Sequence, residues 1–122
     1  MKIQHFTDVQ AEQVEGVPGV TVRWVISEND GAPYFAMRVF EVEPGRASPF
    51  HTHWNEHEVF VLSGQGALRD ENDKKIALSH GSVAFVPGGE KHQFINTGQD
   101  VLRFICLVPH EWLKDTADVS HA

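Results

Sequence analysis

The chain has 122 residues, 41% of them hydrophobic, and carries a formal net charge of -7 at pH 7. That length predicts one domain, residues 1–122, built around a single hydrophobic core. The acidic balance argues against a nucleic-acid partner, because binding to phosphates needs clustered Lys and Arg.

The cysteine content and the hydropathy pattern point to a location. Cys106 is the only cysteine, which excludes a disulfide within the chain and favours a reducing compartment. The first ten residues lack an apolar stretch of signal-peptide length, and no window approaches the ~18 apolar residues of a membrane helix. We therefore expect a cytoplasmic protein without a membrane partner.

The elements read in chain order are short strands separated by turns. Residues 1–18 have no firm assignment and are predicted to be an arm over the body of the fold. Segment 19–27 alternates Val20, Val22, Trp24 and Ile26 with mostly polar residues, which predicts a half-buried strand. Further strands are predicted within 34–42, 57–64, 65–70, 76–81, 82–89, 92–96 and 101–109. Residues 110–122 are expected to form a short helix or a loose tail. Short strands punctuated by Gly, Pro, Asn or Asp predict an all-β sandwich or barrel.

Four of the eight histidines fall in two short windows. His51 and His53 are two residues apart, so on a strand they point to the same face. His57 follows after a corner and could face back toward them from the next antiparallel strand. The turn at 87–89 can deliver His92 to the start of a further strand. The remaining histidines, which we expect at the surface, are His5, His80, His110 and His121.

Both windows resemble the paired motifs of the cupins. In the first window, residues 45–64, Gly45 is followed after five residues by His51 and His53, then by His57 and, after six more residues, by Gly64. A cupin usually has Glu at the position of His57.

The second window, residues 81–96, resembles the second cupin motif at every fixed position. Gly81 is followed by Pro87 and Gly89 with one residue between them, then by His92 and Asn96 at the family's spacing. The resemblance implies a single-domain cupin β-barrel, a double-stranded β-helix of the jelly-roll type.

The missing glutamate leaves two neighbouring acids as alternative ligands. Glu56 and Glu58 flank His57, and a four-residue variant of the first motif would end on Glu58. That variant would need glycine at position 65, where the chain has Gln65. The six-residue spacing before Gly64 favours His57 as the ligand. The alternation of side chains along a strand also favours it, because Glu58 would point away from the face that His57 occupies.

The resemblance implies a cofactor and an assembly as well as a fold. The chain resembles the small all-histidine cupins, some of which bind manganese. This resemblance implies one divalent transition metal per chain. The ligands would be His51, His53, His57 and His92. Manganese or iron is expected first, and nickel, copper, cobalt or zinc are alternatives. The resemblance also implies a homodimer.

The residues around the metal are predicted less directly. Arg38 could neutralise an anionic substrate, or it could be a surface charge outside the barrel. Cys106 fits a buried apolar role better than that of a nucleophile. Candidate pocket residues are Arg38, Phe40, Trp54, Phe94, Phe104 and Cys106. Trp54 could line the pocket mouth or pack under a dimer contact, and the phenylalanines could be wall or core.

Four neutral imidazoles leave the 2+ charge of a metal uncancelled, which favours an anionic or oxygen-rich ligand. We therefore predict a metal-dependent oxidoreductase of dioxygenase type that acts on a small anionic or aromatic oxygenated substrate. Two alternatives stay open: a binding or sensing module without turnover, and an isomerase or lyase in which the metal is a Lewis acid. No catalytic base is evident from the sequence.

Replacing Glu58 with Ala tests the choice of His57 over the neighbouring acid. Metal content should be unchanged, because Glu58 points to the opposite face of its strand from His57. Elemental analysis of the purified variant measures this, and loss of metal would mean that the other spacing variant is correct.

Overall fold

The computed structural model describes residues 1–114, and its regular structure is nearly all β. The strands are β1 (Glu12–Gln13), β2 (Val20–Ile26), β3 (Phe35–Val42), β4 (His57–Ser63), β5 (Gly66–Arg69), β6 (Lys75–Leu78), β7 (Val83–Val86), β8 (Gln93–Asn96) and β9 (Leu102–Pro109). Short 3-10 helices lie at Phe6–Asp8, Glu28–Asp30 and Glu111–Leu113. None of the helices in this part of the chain is long and apolar enough to span a membrane.

The strands form two antiparallel sheets. One has six strands in the order β1-β2-β3-β9-β4-β7, and the other has three in the order β6-β5-β8. Isolated bridges pair Ala47 with Ile95 and His51 with His92, outside the named strands. Within residues 1–114 the two sheets stay separate ladders, so the jelly roll is not one continuous closed barrel. The predicted all-β, jelly-roll fold is confirmed.

The core lies between the sheets and is built mainly from alternate residues of the long strands. On β9 the residues Leu102, Phe104, Cys106 and Val108 are buried, while the residues between them are only partly covered. This alternation is the period-two pattern of a strand with one face on a core. The same face of β9 later forms one wall of the candidate site.

Strand β2 departs from the alternation predicted for it. The register with β3 shifts between Trp24 and Ile26, where the strand contains a β-bulge or irregularity. One extra residue inverts the phase of the side chains. Val25 is therefore buried, whereas Ile26 is 39% exposed. The predicted inward position of Ile26 is wrong for this physical reason. Trp24 precedes the shift and stays on the inner face, opposite Arg38, although it is 42% exposed.

The prediction that His110 lies at the surface is also wrong. Its ring is buried, and Nε2 lies 2.6 Å from the carbonyl oxygen of Ala32, to which it can donate a hydrogen bond. The backbone N–H of His110 donates to the carbonyl of Tyr34 as well. These two contacts fasten the end of β9 to the loop before β3. His121 and the rest of the predicted tail from residue 115 onward lie outside the described residues.

Asn96, the last residue of the second motif, has a structural role. Its Nδ2 donates to the carbonyl oxygens of Val42 and Asp100, each at 2.8 Å, and its Oδ1 accepts from the N–H of Gly98 at 2.9 Å. The side chain is 3% exposed. It therefore ties β8, the end of β3 and the turn before β9 together.

Replacing Asn96 with Ala should lower the free energy of unfolding by about 2–4 kcal/mol, because three hydrogen bonds are lost around buried backbone groups. Chemical denaturation of the variant measures the change. Asn72→Ala is the matched control: Asn72 lies in an exposed turn, and its replacement should cost less than about 0.5 kcal/mol. Equal stability of the two variants would contradict the structural role of Asn96.

Candidate metal centre

The two histidine windows meet through a pair of backbone hydrogen bonds. The N–H of His51 donates to the carbonyl of His92 at 3.2 Å, and the N–H of His92 donates to the carbonyl of His51 at 3.1 Å. Residues that exchange both bonds lie directly opposite each other in an antiparallel pair. This pairing fixes the start of β8 against the segment that carries His51 and His53.

A glycine permits the second contact between the windows. The N–H of Gly89 donates to the carbonyl of His53 at 2.7 Å. Gly88 lies so close to the carbonyl oxygen of Trp54 that a Cβ at position 88 would collide with it. The middle residue of the Pro-Gly-Gly turn must therefore be glycine for the two loops to come together.

Three of the four predicted ligands form a compact cluster. Potential ligand atoms of His51, His53 and His92 all lie within 4.8 Å of one another. The ring centroids of His51 and His53 are 4.2 Å apart, and those of His53 and His92 are 5.6 Å apart. The three imidazoles converge on one point from two segments of the chain.

His57 lies beside this cluster but outside the 4.8 Å set. Its ring centroid is 4.9 Å from that of His53 and 5.0 Å from that of His92. Its Nδ1 lies 3.3 Å from the Sγ of Cys106, across the strand pair β4 and β9. His57 is buried and faces the interior, whereas Glu58 is exposed on the opposite face of β4.

The surroundings keep three of the imidazoles, those of His51, His53 and His57, neutral. Burial, followed by the charges of His51, His92 and Arg38, lowers the pKa of His53 to about 4. Burial, then Arg38 and the neighbouring histidines, lowers the pKa of His57 to about 3. The pKa of His51 is lowered by burial and by His92. At neutral pH the rings therefore offer lone pairs and not positive charges.

The hydrogen bond of His92 identifies its free nitrogen. Nδ1 lies 2.8 Å from the carbonyl oxygen of Glu90, an acceptor only, so Nδ1 carries the proton and Nε2 keeps its lone pair. Metal-bound histidines commonly donate their other N–H to a carbonyl in this way. Together with the lowered pKa values of His51, His53 and His57, this arrangement fits a borderline transition metal held by imidazole nitrogens.

An inner cavity of about 190 Å³ opens onto the cluster. Its walls include Phe40, Phe94 and Phe104, whose rings stack in a row with centroids 5.4 Å and 4.7 Å apart. Cys106 also lines it, and burial raises the pKa of that thiol even though Arg38 acts in the opposite direction. These four predicted pocket residues are thus placed in one wall.

A second, outer cavity of about 480 Å³ lies on the other side of Arg38, His53 and His57, which line both spaces. Its wall includes Trp24 and Trp112, two aromatic residues that the sequence analysis did not assign to the site. Nothing in a local pattern marks them, because Trp24 reaches the cavity through its pairing with Arg38 on β3, and Trp112 through the 3-10 helix after β9.

Trp54 lies outside the lining of both cavities. Its Nε1 donates to the Oε2 of Glu111 at 3.0 Å, which connects the loop between His53 and His57 with the C-terminal 3-10 helix. Trp54 thus contacts a residue of the outer cavity without lining that cavity itself, and its predicted role in a dimer contact stays a prediction.

Comparison with known proteins places this arrangement in a family. Residues 38–108 match the family described as cupin domain. A curated oxalate-binding protein of Thermotoga maritima is 33% identical over 69 residues, which cover 56% of this chain and 56% of that protein. A curated 1-methylthio-D-xylulose 5-phosphate methylsulfurylase of Rhodospirillum rubrum is 32% identical over 75 residues, which cover 62% of this chain and 47% of that protein. The chain spans about half the length of these curated relatives.

A solved structure resembles the chain over most of its length. The polyketide cyclase RemF from Streptomyces resistomycificus superposes with a TM-score of 0.84 and 37% sequence identity. The superposition covers 89% of this chain and 79% of the cyclase.

Replacing His92 with Ala should weaken metal binding at least ~100-fold, because the loss of a ligand costs more than the loss of a residue that merely supports one. The variant should also have a lower melting temperature, because bound metal stabilises the folded state. Elemental analysis and thermal denaturation measure both effects. His80→Ala is the control, since His80 is exposed and lies outside the cluster. Full metal occupancy in the His92 variant would contradict the histidine centre.

Proposed function

Since the chain belongs to the cupin family, we propose that it is a metal-dependent enzyme that cyclises a small, enolisable substrate of the polyketide type. The observation that carries the proposal is the cluster of His51, His53 and His92 on the wall of an apolar cavity. The 37% identity with a polyketide cyclase over most of both chains supports the class of reaction.

The histidines would hold one divalent metal, as the convergence of His51, His53 and His92 allows. We assign His57 as the fourth ligand, because its Nδ1–H can donate to the Sγ of Cys106, which leaves the lone pair of Nε2 for the metal beside the cluster. When bound, the metal supplies a Lewis acid that stabilises negative charge on a substrate oxygen. Manganese or iron remains the prediction for its identity.

The phenylalanine row would orient the substrate. Phe40, Phe104 and Phe94 form a continuous aromatic part of the cavity lining, against which a small conjugated chain can pack. Apolar walls exclude water from the reacting carbon atoms, which limits hydrolysis and strengthens the electrostatic effect of the centre. Holding the chain folded brings its two ends together, which is the main requirement for ring closure.

A second candidate is a module that binds a small carboxylate without turnover. The 33% identity with an oxalate-binding protein favours it. The dioxygenase-type oxidoreductase stays a prediction from the sequence, and it differs from both candidates in consuming O₂.

Diacetylacetone, a linear triketone, provides a direct test. Aldol closure between its ends forms one carbon–carbon bond, loses one water and gives orcinol, with no net transfer of electrons. The metal-loaded protein should accelerate this conversion at least ~10-fold over buffer containing the same free metal, because a preformed site orients both ends. Chromatography of orcinol and an oxygen electrode measure the product and O₂ together.

Two variants serve as the matched pair in this assay. His53→Ala should abolish the acceleration by removing a proposed ligand, and His80→Ala should retain it. Full acceleration by His53→Ala, or by the chelated protein, would contradict the proposal. Turnover that consumes O₂ in proportion to product would replace it with the oxidoreductase, and tight binding without turnover would favour the carboxylate-binding module.

A further inference from the structure

Arg38 occupies a position where a positive charge is unusual, on the inner face of the six-stranded sheet. It lies on β3, directly opposite Trp24 of β2 and Cys106 of β9. Because side chains alternate along a strand, Arg38 shares its face with the buried Ala36 and with Phe40. Its guanidinium therefore enters the wall between the inner and outer cavities. The alternative of a charge on the outer surface is thereby excluded.

The guanidinium lacks the carboxylate partner that Arg23, Arg69 and Arg103 have. Its Nη2 donates to the Sγ of Cys106 at 3.2 Å, and its Nε is buried without a hydrogen-bond partner. By contrast, Arg23 and Arg103 both pair with the carboxylate of Glu41. Within residues 1–114, no carboxylate forms an ion pair with Arg38.

Two aromatic rings hold this group in place. The Cζ of Arg38 lies 5.3 Å from the centroid of the Trp24 ring and 4.8 Å from that of Phe40. Contacts between a guanidinium and aromatic faces are favourable and fix its plane. The donors are thus preorganised for a planar acceptor instead of being free to rotate.

A buried donor on a charged group is costly when it has no acceptor, and an anion that enters the cavity would remove that cost. We propose that Arg38 is the substrate-binding residue that receives a carboxylate or enolate oxygen of a planar, singly charged substrate, whose body lies along the phenylalanine row. This inference rests on the proposed function, and it names the substrate class of the same site.

The rim of the outer cavity limits the charge of that substrate. Glu12, Glu28 and Glu111 line the outer cavity together with Arg38, so an anion bound there lies near carboxylates. A single negative charge can be compensated by one guanidinium, whereas a phosphate dianion would keep an excess charge near these acids. The arrangement therefore selects a carboxylate or enolate over a phosphate ester.

Naphthoate and its neutral isostere naphthamide are suitable probes, and isothermal titration of the full chain measures their affinities. The wild-type protein should bind naphthoate at least ~10-fold more tightly than naphthamide, as expected for a charge-assisted hydrogen bond. Arg38→Gln should remove this preference. Arg46→Gln, which removes an exposed charge outside both cavity linings, should retain it. Naphthyl phosphate should bind more weakly than naphthoate.

Each titration is repeated after chelation, because a bound metal could itself attract the carboxylate. The part of the preference that Arg38 supplies should persist in the chelated protein. This separates a failure of the metal centre, which would leave the Arg38 effect intact, from a failure of the present inference.

Equal affinity for naphthoate and naphthamide in the chelated wild-type protein would overturn the proposal, as would an undiminished preference in Arg38→Gln. Tighter binding of naphthyl phosphate than of naphthoate would overturn the assigned charge class. Should Arg38→Gln fail to fold, Arg38→Lys serves instead. It keeps the charge but loses the planar fork, so naphthoate binding should weaken several-fold and naphthamide binding should not change. Unchanged naphthoate binding would then count against the assignment.

Discussion

The reciprocal backbone hydrogen bonds between His51 and His92 are the constraint on which the rest of the centre depends. They join two windows that are far apart in the sequence, and they do so at the two residues whose rings must converge. The reciprocal pair places the two residues directly opposite each other and so sets the register of the two segments. The close approach at Gly88 then brings the loop after His53 into the same corner.

The environment of the centre explains why histidines are useful there. Burial beside like-charged neighbours and Arg38 makes protonation unfavourable, so protons compete weakly with a metal for these nitrogens. Four neutral ligands would leave the charge of the metal available to a substrate oxygen. The apolar row of phenylalanines next to the cluster strengthens that attraction by lowering the local dielectric response. Charge and burial therefore act together on the same small volume.

The sequence predicted much of this arrangement, because it is encoded in local spacing. The parity of β4 correctly separated the inward His57 from the outward Glu58. The fixed glycines identified the turns that bring the windows together. Ligation by His57, the homodimer and the cytoplasmic location stay predictions.

Other features depend on contacts between distant segments and could not be predicted. The bulge that turns Ile26 away from the core follows from the register with β3, and the burial of His110 follows from its contact with the loop at Ala32. Arg38 was left open between surface and site for the same reason. Only its pairing with Cys106 on β9 places it inside the fold.

The most direct test of the central claim is X-ray absorption spectroscopy on protein purified without a metal-affinity column, combined with elemental analysis. The account predicts one transition metal per chain, surrounded by imidazole nitrogens and without sulfur from Cys106. Protein that cannot be loaded with a transition metal, or a metal shell without imidazole, would contradict it.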